Sequence, residues 1–85
     1  MYRVIPGKYA QKFLKKCDKV LAERLLKKMR ELAVNPFPSD VIRVSGRKEK
    51  VFRVRVGDQR ILYIVRYNPN KLIIAKVDKR PRVYG

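Results

Sequence analysis

Arginines alternate along Val51-Phe52-Arg53-Val54-Arg55-Val56, return at Arg60 after Gly57-Asp58, and recur in the closing run Lys79-Arg80-Pro81-Arg82-Val83-Tyr84. The chain contains no histidine. Arginine stays charged at any physiological pH, so it is a poor general acid or base. Its forked donors are suited instead to gripping phosphate two oxygens at a time and to stabilising charge that grows on them. RNA brings its own nucleophile to such a site. A 2′-OH attacking the adjacent phosphate in line leaves a 2′,3′-cyclic phosphate and a 5′-OH. Ribonuclease chemistry that relies on imidazole for its two proton transfers is excluded here. What remains is positioning, which can lower a barrier by up to about 7–11 kcal/mol.

The charge balance points the same way. Lys and Arg number 23 against 7 Asp and Glu, a net charge of +16. Self-repulsion on that scale costs a small fold stability, and its usual counterpart is an anionic partner. A thermophile-type charged surface is rich in Glu as well as Lys, and glutamate is scarce here. With 85 residues, 46% of them hydrophobic, the chain is expected to form a single domain over 1–85. A chain of that length buries about 60–65% of its unfolded surface, a thin but sufficient core.

Other chemistries are poorly supplied. Cys17 is alone, so no internal disulfide can form, and its helical setting suits a small core residue better than a nucleophile. With no His, one Cys and scattered acids, neither a metal site nor any other cofactor is expected. No apolar run reaches membrane-spanning length and no signal peptide is visible, so a cytoplasmic protein without a membrane partner is expected.

The elements that must carry these arginines follow from periodicity. Strands are predicted near 2–5, 51–57, 60–67 and 71–79, with helices near 7–16 and 19–34. In the first helix Tyr9, Ala10, Phe13, Leu14 and Cys17 share one face. Asp18 suits the N-cap of the second, whose buried stripe is Leu21, Leu25, Leu26, Met29, Leu32 and Ala33. Asn35-Pro36 ends it. Val41–Val44 is weak strand or extended chain, and Gly46–Lys50 is a basic turn holding Lys48. The expected fold class is α+β: a two-helix hairpin on one face of a twisted, mainly antiparallel four-stranded sheet, in the order β-α-α-β-β-β.

Period-two alternation then assigns the faces. If Phe52, Val54 and Val56 meet the helices, so should Ile61, Tyr63 and Val65, and Ile73, Ala75 and Val77. The opposite face would carry Arg53, Arg55, Arg60, Arg66, Lys76 and Arg80 over a floor of Leu62, Ile64 and Ile74. Asp78 is the only acid this alternation places there. Tyr63 and Tyr67 are expected in the core rather than as base-stacking platforms. The helix lysines Lys12, Lys15, Lys16, Lys19, Lys27 and Lys28 fit a docking surface for ribosomal RNA and a merely solvated face equally well.

These residues resemble the RelE toxins of the RelE/ParE toxin–antitoxin superfamily, most closely the short archaeal type. The likeness lies in Val44-Ser45-Gly46, in Val51–Asp58, in Arg60-Ile61-Leu62-Tyr63, and in Lys79-Arg80 with Tyr84. It extends over nearly the whole chain.

The resemblance implies an mRNA endonuclease working in the ribosomal A site, and hence an inhibitor of translation. Its implied partners are the ribosome, mRNA and a RelB-like antitoxin, acidic and helical, with which a heterotetramer can form. By position, Arg60 corresponds to the arginine that contacts the scissile phosphate, Arg80 to a second catalytic arginine, and Tyr84 to a tyrosine that stacks on or orients the substrate. Arg53 and Arg55 fall where the family places paired cations, and Lys48 and Arg82 extend the set of phosphate-binding residues. Two other readings stand beside this one: a catalytically inactive RNA- or ribosome-binding module of the same fold, and a gyrase inhibitor of the ParE kind.

Overall fold

The computed structural model describes residues 1–46 and 48–79. Its elements are β1 (Arg3–Pro6), α1 (Lys8–Lys16), α2 (Lys19–Val34), β2 (Ile42–Val44), β3 (Val51–Val56), β4 (Gln59–Arg66) and β5 (Lys71–Lys79). Asp18 caps α2 as expected, its carboxylate accepting from the Leu21 N–H at 2.8 Å. Asn35 ends α2, where Pro36 forbids another turn. Gly57 turns the β3–β4 hairpin with φ 60°, a conformation that suits glycine.

The sheet has five strands in the order β1-β5-β4-β3-β2, which corrects the expected four. Ile42–Val44 pairs antiparallel with Val51–Arg53 and forms an edge strand. Three residues are too few for alternation to announce a strand, so pairing with β3 decides its state. The sheet is also mixed. The β2–β3, β3–β4 and β4–β5 pairs are antiparallel, but β1 runs parallel to β5 from Arg3↔Lys71 to Pro6↔Ile74. That pairing joins the two most distant strands in sequence, which local patterning cannot reveal.

The core lies between the helices and one sheet face. Ala10, Leu25, Met29 and Leu32 pack with Val54, Val56, Ile61, Tyr63, Leu72, Ile74 and Val77. Fully burying one such aliphatic side chain is worth about 1.5–3 kcal/mol. Phe52 and Val65 are only partly buried against this cluster. Leu26 and Tyr9, both expected in the buried stripes, are 41% and 65% exposed. Tyr67, expected in the core, is exposed and meets Tyr2 edge-on, ring centroids 6.2 Å apart.

A β-bulge corrects the assignment of faces on β5. Leu62 pairs with Lys76, but the next residue, Tyr63, pairs with Ile74, so Ala75 is an extra residue in the ladder. Val77 keeps its expected place against the helices. Upstream of Ala75 the alternation is inverted: Leu72 and Ile74 enter the core, and Ile73 takes the open face instead. Strict period two cannot see an inserted residue, and each side chain beyond it changes face.

Tyr63 anchors the long loop to the sheet. It is fully buried, and its hydroxyl donates to the Pro36 carbonyl at 2.7 Å. Phe37 from the same loop packs edge-on against Phe52, 5.1 Å between centroids. Among the described residues no helix is long and apolar enough to cross a membrane.

Candidate nucleic-acid interface

The antiparallel registers stack the open-face side chains in rows across β3, β4 and β5. Beside the Gly57 hairpin the row is Arg55, Arg60, Asp78. The next is Arg53, Leu62, Lys76, and the one beyond is Val51, Ile64, Ile73. The face is therefore charged beside the Gly57 hairpin and apolar across its middle, with the Arg66–Lys71 pair closing the far end. This follows from β3 placing arginine at alternate positions while β4 places an arginine only at its ends.

Within the first row Arg60 is gripped by its neighbour. Its Nε donates to Asp78 Oδ1 at 3.0 Å and its Nη2 to Asp78 Oδ2 at 3.3 Å. Both side chains are largely covered, 19% and 24% exposed. Lys76 Nζ stands 3.8 Å from the same carboxylate. Asp78 is thus confirmed on the open face, but Glu49 joins it there and accepts from Arg66 at 3.0 Å. Arg55 is exposed and makes no ion pair among the described residues. Arg53 is half-buried, with its Nε lacking a hydrogen-bond partner among them.

Over the apolar middle of the face lies a cleft of about 430 Å³. Val51, Leu62 and Ile64 line it together with Lys48, Lys76 and Tyr9. Tyr9 reaches this face from α1, which packs beside β5 beyond the end of β1: the Gly7 N–H donates to the Ile74 carbonyl at 2.8 Å. A shallower basic depression lies beyond the end of β2, bordered by Arg55, Gly57, Arg24 and Lys27.

Arg53, Arg55 and Arg60 are brought together, and Lys48 lies at the cleft wall. Arg80, Arg82 and Tyr84 lie outside the described residues. Tyr9 and Glu49 were not singled out beforehand. Helical spacing put Tyr9 in a buried stripe, and an acid in a basic turn gives no signal of its partner. Among the described residues no three His, Cys, Asp or Glu side chains gather as metal ligands. The Tyr63 hydroxyl is held protonated, its pKa pushed far up by burial and then by the charge of Asp40, so it is not a proton carrier for this face. Guanidinium and ammonium groups over an apolar floor suit phosphates with attached bases.

Comparison with known proteins matches this architecture. A family model described as the ParE toxin of the type II toxin–antitoxin system parDE matches residues 4–84. RelE1 of Methanocaldococcus jannaschii is 38% identical over 66 residues, 69% of this chain and 72% of that protein. The fold superposes on the archaeal RelE–RelB complex of Pyrococcus horikoshii with TM-score 0.82 and 31% identity, covering 96% of this chain and 98% of that one. The intact RelBE toxin–antitoxin complex of E. coli shares the fold at TM-score 0.80 and 20% identity, covering 96% of this chain and 100% of that one. A sheet with one face under a helix hairpin and the other lined with arginine, matched along nearly its whole length, places this chain in the RelE/ParE family of type II toxin–antitoxin toxins.

Proposed function

We propose that this toxin is a ribosome-dependent mRNA endonuclease that acts without a cofactor and blocks translation. The observation that carries the reading is the row of Arg55 and Arg60 on the sheet face that the helices leave open. In this reading Arg60 and Arg80 clamp the scissile phosphate while the 2′-OH attacks it in line. Arg53 and Arg55 supply field and docking, and Lys48 and Arg82 bind flanking phosphates. Tyr84 stacks on a base or relays a proton. Machinery so poor in acids and bases needs a substrate already bent toward the reaction, which a ribosome-held codon provides.

The proposed partner is an acidic, helical, RelB-like antitoxin lying over the basic surface, with a heterotetramer as the larger assembly. Its support is the likeness to the Pyrococcus horikoshii RelE–RelB complex. Cleavage of a defined mRNA with and without programmed ribosomes tests the function: cutting is expected only with ribosomes. Ribosome binding without cutting would point to the inactive module. The RelE likeness at 38% and 31% identity disfavours gyrase inhibition, and a supercoiling assay tests it.

A further inference from the structure

We infer that Asp78 is a positioning residue for Arg60, holding one edge of the guanidinium so that the other edge meets the phosphate. The inference rests on the proposal that Arg60 binds the scissile phosphate. A guanidinium has five N–H donors and two edges that can form paired bonds to an oxyanion. Asp78 occupies the edge made by Nε and one hydrogen of Nη2. The second hydrogen of Nη2 and the Nη1 hydrogen beside it remain, and they form the terminal edge of the fork. The carboxylate therefore leaves Arg60 able to grip phosphate while removing its freedom to rotate.

Three features make this a positioning device rather than a blockade. Lys76 lies 3.8 Å from Asp78, so one carboxylate is shared by two cations and repels an incoming phosphate less. Arg55 stands across from Arg60 on the side away from Asp78, so Arg60 is flanked by a cation on one strand and an anion on the other. An anion bridging Arg55 and the free edge of Arg60 would relieve their repulsion without displacing Asp78. Finally, the pair is three-quarters or more covered, which limits the exchange with water that loosens exposed pairs.

The test has two arms. In the first, the Arg60 Nε–H resonance of the full chain is followed by 15N NMR, with a short RNA carrying a 2′-deoxy sugar at the cleavage site as the probe. The resonance should be protected from exchange in the free protein and should stay at its Asp78-bound position when RNA binds. An Nε–H exchanging as fast as those of exposed arginines, or one shifted by RNA to an unbound position, would overturn the inference. This arm needs no variant and no cleavage, so it stands even if the ribosomal reading fails.

The second arm is kinetic, on programmed ribosomes. Asp78→Asn should lower kcat about 10–100-fold with KM unchanged or reduced, since misorientation costs rate and loss of an anion favours phosphate. In an Arg60→Ala background the same change should cost nothing further. A merely structural Asp78 would subtract equally in both backgrounds, and additive losses would refute positioning.

Discussion

Arg55 and Arg60 face each other directly across the β3–β4 hairpin, two guanidinium-bearing residues in one cross-strand pair. Like charges so placed destabilise a sheet, and the opposite preference would be easy to satisfy with a glutamate. The repulsion is tolerable where an anion is bound between them.

Arg55→Ala should therefore move stability and function in opposite directions. Unfolding free energy should rise by about 0.2–1 kcal/mol, while affinity for single-stranded RNA falls. Denaturant melts and RNA titrations at fixed salt check both signs. A variant that loses stability would show that Arg55 has a stabilising partner instead.

Tyr63→Phe should cost about 1–3 kcal/mol, because the Pro36 carbonyl loses the hydroxyl that bonds it at 2.7 Å. The pH dependence has a definite sign. Burial first, then Asp40, raises the folded-state pKa above the ordinary 10.0. The unfolded chain thus ionises first on going alkaline. The contribution of this hydroxyl is complete below about pH 10 and is lost as pH climbs toward the folded value. Melts from pH 8 to 11 should show the wild type losing more stability than Tyr63→Phe across the alkaline end.

The bulge at Ala75 makes a prediction that strict alternation reverses. Ile74→Ala should cost about 2–5 kcal/mol as a core cavity, and Ile73→Ala about 1 kcal/mol. Equal or inverted costs, measured by urea unfolding, would contradict the register.

That bulge also marks where the sequence stops being legible. Both helices, the Asp18 cap and the existence of strands β3 to β5 followed from apolar spacing and from the turn and capping residues between them. The faces of β3 and β4 followed too, since no residue interrupts their alternation. Leu72, Ile73 and Ile74 changed face because one inserted residue leaves no local trace. Strand β2 and the parallel place of β1 depend on partners far away in the chain. At the site, Arg53, Arg55 and Arg60 were readable from alternation alone. Tyr9 was not, because its arrival on the open face depends on how α1 crosses the edge of β5.

Charge should show in the partner's affinity. Binding of an acidic antitoxin segment should weaken steadily as salt rises, since salt screens exposed charges and the screening length shortens from about 10 Å at 0.1 M to about 3 Å at 1 M. For RNA, Lys48→Ala should reduce the slope of log affinity against log salt by about one unit if that lysine meets a phosphate. Calorimetry or fluorescence anisotropy across a salt series checks both. Affinity indifferent to salt would mean that apolar contacts such as the cleft floor dominate.

The central claim is that a clamp of arginines, without imidazole, cuts mRNA on the ribosome. The most direct measurement is mapping of the cleavage ends on programmed ribosomes, with the wild type beside the Arg60→Ala/Arg80→Ala double variant. A chelator is present at a level that leaves the ribosomes intact. The wild type should cut within the A-site codon and leave a 5′-OH and a 2′,3′-cyclic phosphate. The double variant should lose at least about 10²–10³ in rate, and Arg60→Lys should recover little, because an ammonium cannot reproduce the fork. Full cleavage by the double variant would contradict the clamp, and no ribosome-dependent cleavage by the wild type would contradict the activity itself.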